Sequence, residues 1–270
     1  MTTQELKILA NNIRKDIVQA TFKTGKSGAH IGGSLSCADI LAVLYGNHMR
    51  VDCLNEEVRD RFIMSKGHAA LAQYCVLKEM GVLTQDELDT FDQDGSEYVA
   101  HTRKNVSKGL EFSGGSLGLG MSFATGLALA CKQKQYDNRV YVLLGDGECD
   151  EGLVWEALLF AAHQQLGNMT VLLDYNHLQA DGKIEDVVSL GNLKQKMEAF
   201  SDNVMVVDGH DVEAIDKALE VPATNHPKII IAETIKGKGV SFIENKYNWH
   251  HGSLNEAKFN KAMAELNEHE

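Results

Sequence analysis

The chain has 270 residues, enough for one large domain or two small ones, and it can bury roughly three quarters of its unfolded surface without disulfide or metal staples. Its 38 acidic residues outnumber its 26 basic ones, and the resulting net charge of −12 argues against nucleic acid as a partner. An anionic ligand would need local help from backbone N–H groups, histidines or a metal.

Five scattered cysteines (Cys37, Cys53, Cys75, Cys131, Cys149) form no Cys-x-x-Cys pair, which suits a reducing compartment and argues against structural zinc. No signal-peptide core follows Met1 and no apolar span is long enough for a membrane, so a cytoplasmic protein is expected, with no membrane contact.

Apolar positions at Leu6, Leu9, Ile13, Ile17 and Phe22 predict a helix over 4–24. A Gly-rich loop from Gly25 to Ser34 presents His30. Its Gly25-Lys26-Ser27 fragment fails as a phosphate loop, because Ala20 stands where that motif needs Gly and a helix precedes it. A helix over 38–45 follows. Arg61 to Ser65 reads as a strand ending at Lys66-Gly67-His68, with a helix over 69–80 behind it. Thr84 and Glu87 form a capping box for a short helix. Residues 92–111, with His101, read as a loop. Ser113 to Gly120 opens a small-residue helix reaching about Lys132.

Strands over 139–144, 169–174, 204–207 and 228–234 then alternate with helices over 151–166, 192–200 and 212–220. The tail from Leu254 reads as an amphipathic helix, opened by a second capping box from Ser253 to Glu256 and closing a single domain over 1–270. Such alternation implies an α/β fold: a mostly parallel sheet with helices on both faces. Ligands of such sheets sit at the carboxyl ends of the strands.

Two stretches fall there. One apolar run stops at Gly145-Asp146-Gly147, and a second ends at Asn176, thirty positions on. A carboxylate, an amide oxygen and a loop carbonyl make a natural protein set for Mg²⁺, whose remaining positions go to phosphate and water. The following helix N-terminus favours an anion. Glu148 and Asp150 read as a solvated rim. Lys236-Gly237-Lys238-Gly239 is either a phosphate contact or a plain basic turn. His48, His163, His177, His210, His226 and His269 read as surface or core fillers.

Taken together these stretches resemble the N-terminal, thiamine diphosphate-binding domain of transketolase. The resemblance runs through Ser27 to Gly33, Ser65 to His68, Gly114 to Gly118, Gly145 to Gly152, Asn176 to Gly182 and His250-His251-Gly252. It implies thiamine diphosphate with Mg²⁺ held by Asp146, Asn176 and the carbonyl of Leu178. It implies His68 and Gly147 as diphosphate contacts, and Gly115, Ser116 and Leu117 along the aminopyrimidine, with Ser116 standing where the family usually has Pro. His30, His101 and His251 would line the substrate channel as proton carriers and oxyanion donors. Glu151 would face the partner's glutamate.

A complete transketolase also carries pyrimidine-binding and C-terminal domains, so a split enzyme is expected. This chain would be inert alone and would form a heterotetramer, two copies of each subunit, acting on sugar phosphates. Two alternatives share the motif: the alpha subunit of a 2-oxoacid decarboxylase or dehydrogenase, or half of a deoxyxylulose-phosphate-synthase-like enzyme. A third is a non-catalytic cofactor-binding subunit.

Overall fold

The computed structural model describes residues 1–51 and 58–268, so Cys53 and His269 lie outside it. Helix α1 (Thr3–Lys23) starts at a capping box that the sequence reading missed: Thr2 accepts from the Glu5 amide, and the Glu5 carboxylate accepts from Thr2. Next come α2 (Ile31–Ser36), α3 (Ala38–Val43), strand β1 (Arg61–Met64), α4 (Ala70–Glu79), α5 (Gln85–Asp89) and α6 (Leu119–Gln133). The second half runs β2 (Val140–Gly145), α7 (Gly152–His163), β3 (Met169–Tyr175), α8 (Ile184–Val187), α9 (Leu193–Glu198), β4 (Val204–Asp208), α10 (Val212–Glu220), β5 (Lys228–Glu233) and α11 (Glu256–Asn267).

The five strands are all parallel, in the order β1-β2-β3-β5-β4. Both faces are covered, which is why β2 reads as an unbroken apolar run. Side chains alternate across it: Tyr141 and Leu143 join the apolar cluster with α1, α3 and α4, while Val142 and Leu144 join the one with α6 and α7. The predicted α/β class and its parallel sheet are borne out.

Three local expectations are corrected. Ile31 to Ser36 is a fully buried helix rather than loop, with His30 at its N-cap. Its glycines look like loop residues, but the Trp249 carbonyl passes within 2.6 Å of where a Cβ on Gly32 would sit, so close packing selected them. The cap of α11 is Asn255, whose side chain accepts from the Lys258 amide at 2.9 Å; the box from Ser253 to Glu256 does not form. Thr84 and Glu87 do form theirs. Finally, α7 stops at His163, short of Leu166. Helix α11 packs back on α1 through stacked rings of Phe22 and Phe259, 4.4 Å apart.

Candidate functional site

Sheet register brings the two strand-end motifs together. Gly145 pairs with Asp174, so Asp146 and Asn176 leave adjacent strands side by side. The Asp146 carboxylate is 3% exposed, and it accepts from the amides of Gly147 (2.8 Å) and His177 (2.6 Å). The His177 amide bond ties the β2 exit to the β3 exit. Burial, then the charge of Asp174, pushes the Asp146 carboxyl up to about 6. The Asn176 side-chain oxygen accepts from the Leu178 amide at 3.2 Å, which curls the chain and sets the Leu178 carbonyl. A Cβ on Gly147 would sit 2.9 Å from the Gln179 side chain, which would have to shift to make room.

Two buried ammonium groups face these oxygens. Lys66, at the end of β1, donates to the Gly33 carbonyl at 2.9 Å and pairs with the Asp174 carboxylate. Asp174 also accepts from Ser36 at 2.6 Å and from Thr234. Burial works against the Lys66 charge, but Asp174 outweighs it and holds the ammonium on. Lys236 enters from the β5 side and donates to the carbonyls of Leu178 (2.9 Å) and Gln179 (3.2 Å) and to His250 Nδ1 (3.2 Å). Burial, then Lys66, brings its ammonium down to about 8. A basic turn at Lys236 is therefore the wrong description: the side chain is 2% exposed.

Glu148 is also corrected. It is not a solvated rim but a clamp, 2% exposed. One oxygen accepts from Ser65 Oγ (2.5 Å) and the Gly118 amide (2.8 Å), the other from the Gly145 amide (3.2 Å). It thereby joins the ends of β1 and β2 to the loop that starts α6. Asp150 does stay exposed, bonded to Gln179.

The histidine loops meet through a short antiparallel bridge. The amides of Ala29 and Gly252 each donate to the other's carbonyl, at 3.0 and 2.9 Å. Gly28 allows it, with φ of +73° and a Gly252 carbonyl 2.5 Å from a would-be Cβ. The bridge sets His30 within 4.8 Å of His251 and 5.3 Å of His250, ring centre to ring centre. His101 lies 5.4 Å from His30, and His68 lies 4.9 Å from His250.

Burial lowers His30 to about 4 and His250 to about 3, and takes His68 well down, each helped by neighbouring cationic groups. These imidazoles are neutral near pH 7. Their lowered folded values mean that stability present above 6.5 is lost as pH falls towards the folded values. After allowing for solvent screening, His30 and His250 together cost about 2–3 kcal/mol by about pH 5. We expect the melting temperature to drop by roughly 5–10 °C between about pH 7 and 5, and the double change His30→Asn, His250→Asn to flatten that slope. An unchanged slope in scanning calorimetry would sink the assignment.

The result is a cavity of about 340 Å³ at the carboxyl edge of the sheet. Of the residues expected there, His30, His68, His101, Gly115, Leu117, Asp146, Gly147, Asn176 and Leu178 line it. Ser116, Glu151 and His251 are exposed outside its lining, Glu151 against Gly118 and His251 against His30. Sequence reasoning passed over Lys66, Glu148 and Gln179 as lining residues, left Lys236 open between a phosphate contact and a plain turn, and favoured His251 over His250. For Lys66 and Lys236 a signal existed: each is a lysine within two or three residues of the end of an apolar run.

The donor set can be tested against a metal and a diphosphate. Among the described residues, no three His, Cys, Asp or Glu side chains converge to hold a metal. Asp146, Asn176 and the Leu178 carbonyl offer instead one charge and two neutral oxygens, which suits a hard cation completed by phosphate and water. The carbonyl has a second lone pair besides the one Lys236 uses. Lys66 and Lys236 supply positive charge in a chain that is acidic overall. His30 Nδ1 is buried with no hydrogen-bond partner.

Parallel strands, a glycine-cradled carboxylate and buried ammonium groups at the sheet's carboxyl edge define a binding domain for a phosphorylated ligand. A family model described as the thiamine diphosphate binding domain of transketolase matches residues 6–268, and the chain belongs to the transketolase family as that domain. It is 38% identical over 266 residues to the 6-deoxy-6-sulfo-D-fructose transketolase subunit of a Clostridium species, spanning 97% of this chain and 96% of that one. An apulose-4-phosphate transketolase subunit of Phocaeicola vulgatus is 37% identical over 272 residues, 99% and 96% of the two chains. Transketolase from Campylobacter jejuni superposes with a TM-score of 0.91 at 31% identity, over 99% of this chain but 43% of that one. The chain thus spans about two fifths of the solved transketolases it matches.

Proposed function

We propose that this chain is the cofactor-binding subunit of a two-chain transketolase, holding thiamine diphosphate and Mg²⁺ and completed by a separate pyrimidine-binding subunit. The observation that carries the proposal is the two-sided cavity, with cation ligands and ammonium groups on one wall and a histidine cluster on the other. Relatives of nearly equal length are themselves named as transketolase subunits, which supports a partner chain. We take the assembly to be two copies of each subunit.

Asp146, Asn176 and the Leu178 carbonyl would hold Mg²⁺. Lys66, Lys236, His68 and the Gly147 backbone would hold the diphosphate, and Gly115, Ser116 and Leu117 the aminopyrimidine side. When bound, the cofactor supplies a nucleophilic carbon and an electron sink for moving a two-carbon ketol unit from a ketose phosphate to an aldose phosphate. The histidines do the proton work. Neutral His30, which lines the cavity, can accept a hydroxyl proton, and His101, His250 and His251 stand close enough to pass it on or to donate to a developing oxyanion. Glu151, exposed on the rim, is placed to meet the partner.

The test mixes this chain, the purified partner subunit, thiamine diphosphate and Mg²⁺ with ketose and aldose phosphates. Turnover is expected only from the pair. His30→Ala should lower it about a hundredfold or more while cofactor affinity stays within about threefold. Turnover by this chain alone, or release of CO₂ from a 2-oxoacid in place of ketol transfer, would overturn the reading.

A further inference from the structure

We infer that His210 is a positioning residue for Lys236, its unprotonated Nε2 holding the Ile235 amide and so setting the backbone from which the ammonium enters the cavity. The inference rests on the proposed function only for what Lys236 meets there.

His210 sits in the turn after β4, on the far side of the β5 exit from the cavity. That turn is joined to β5 at two points. The Gly209 amide donates to the Glu233 carbonyl at 2.8 Å, and the Ile235 amide donates to His210 Nε2 at 2.8 Å. Gly209 permits this contact, since a Cβ there would meet the Thr234 methyl at 2.4 Å. The next residue is Lys236, whose ammonium makes its three bonds to Leu178, Gln179 and His250. Two further anchors lie downstream: Gly237 donates to the Gly32 carbonyl (2.9 Å), and Asn245 donates to the Lys236 carbonyl (3.0 Å). Upstream, the Thr234 amide donates to the Tyr175 carbonyl at 3.0 Å, and His210 holds the amide next to Lys236, that of Ile235.

The chemistry of the ring is fixed by its partners. A backbone amide can only donate, so Nε2 must carry a lone pair and the ring proton must sit on Nδ1. Nδ1 lies 2.7 Å from an Asp39 oxygen, the acceptor that this tautomer requires. Arg14 pairs with both oxygens of that carboxylate. All three side chains are nearly buried, at 9, 8 and 12% exposure for Arg14, Asp39 and His210. Arg14 also packs within 3.2 Å of a would-be Cβ on Gly239, in the same exit loop. An imidazolium would set N–H against N–H at Ile235 and release the strand exit. The arrangement parallels the outer ligands of metal sites, where a hydrogen-bonded neighbour fixes the tautomer and aim of a working group.

Three measurements decide the matter. Nitrogen-15 imidazole spectra of the wild-type chain at neutral pH should give His210 as the Nδ1–H tautomer; the Nε2–H tautomer or an imidazolium would overturn the inference, whether or not any cofactor binds. The second is a double-mutant cycle on thiamine diphosphate affinity with Mg²⁺. His210→Ala and Lys236→Ala should each weaken binding about tenfold. The double variant should be no weaker than Lys236→Ala alone, because His210 acts through the lysine. Multiplicative losses would overturn the positioning role. Hydrogen exchange should also speed up at Ile235 and Lys236 in His210→Ala, with the rest of the sheet unchanged. Should wild type fail to bind the cofactor, the functional reading falls and the tautomer alone decides this one.

Discussion

In the presence of Mg²⁺, Asp146→Asn is expected to weaken thiamine diphosphate binding by about two orders of magnitude, close to 3 kcal/mol, while the melting temperature moves by only a few degrees. The two halves of that expectation come from the same burial. The carboxylate accepts two amides, and an asparagine offers an oxygen to only one of them. Leaving the other amide against an NH₂ group costs about 1–3 kcal/mol. Against this, the substitution removes a buried negative charge that burial and Asp174 already push up to about 6. The fold therefore loses a hydrogen bond and an unfavourable charge together, and the terms nearly cancel. Cation binding has no such offset: the charge is the one anionic group among the three oxygens proposed to hold Mg²⁺. Calorimetric titration and thermal scans of the same preparation check it. Affinity within threefold of wild type would remove Asp146 from the site, and a collapse in melting temperature would make its role structural.

The strand ends were legible because their chemistry interrupts their pattern. Val142 to Leu144 and Val171 to Leu173 are apolar on both faces, so Asp146 and Asn176, within three residues of their ends, stand out as polar groups at the mouth of a parallel sheet. Periodicity also separated helices from strands. It could not give the strand order, in which β5 inserts between β3 and β4, because both strands carry similar apolar runs and the decision lies in their packing.

Side-chain direction was the harder part. Glu148 and Asp150 are both acids in one short turn, and sequence cannot say that one turns in to clamp Ser65, Gly118 and Gly145 while the other turns out. The same holds for His250 and His251. Lys236 fixes the first through Nδ1 and leaves the second at the rim, and that lysine comes from a different strand exit. His210 offered no local signal, since its partners Asp39 and Ile235 are distant in the chain. Helix α2 shows the converse: Gly32 and Gly33 advertise a loop, but the close approach of Trp249 makes them helical. What remained illegible is in each case a contact between segments far apart in sequence.

The largest expected loss of stability belongs to Lys66→Met. Lys66 and Asp174 are both fully buried and pair beneath the cavity. A buried ion pair adds little over a well-packed apolar pair, but removing one partner strands the other and costs about 3–5 kcal/mol. At 2–4 °C per kcal/mol in a domain near this size, the melting temperature should fall by roughly 10 °C. The pair also sets a pH window. Asp174 is held below its usual 3.8: burial opposes this but Lys66 outweighs it, so its contribution is present above 3.8 and lost as pH falls through the folded value. Lys66 is held above its usual 10.5, so its contribution is present below 10.5 and lost as pH rises through the folded value. With Lys66 gone nothing of its strength offsets the burial of Asp174, so the penalty of Lys66→Met should grow as pH rises above 3.8. Adding Asp174→Asn removes the stranded charge while keeping an amide that can bond Ser36 and Thr234, and it should restore more than half of the loss. A single variant melting within about 2 °C of wild type, or a double variant less stable than the single, would mean that Asp174 keeps its charge solvated by some other route, and the pair would no longer explain how the sheet holds a charged floor beneath its cavity.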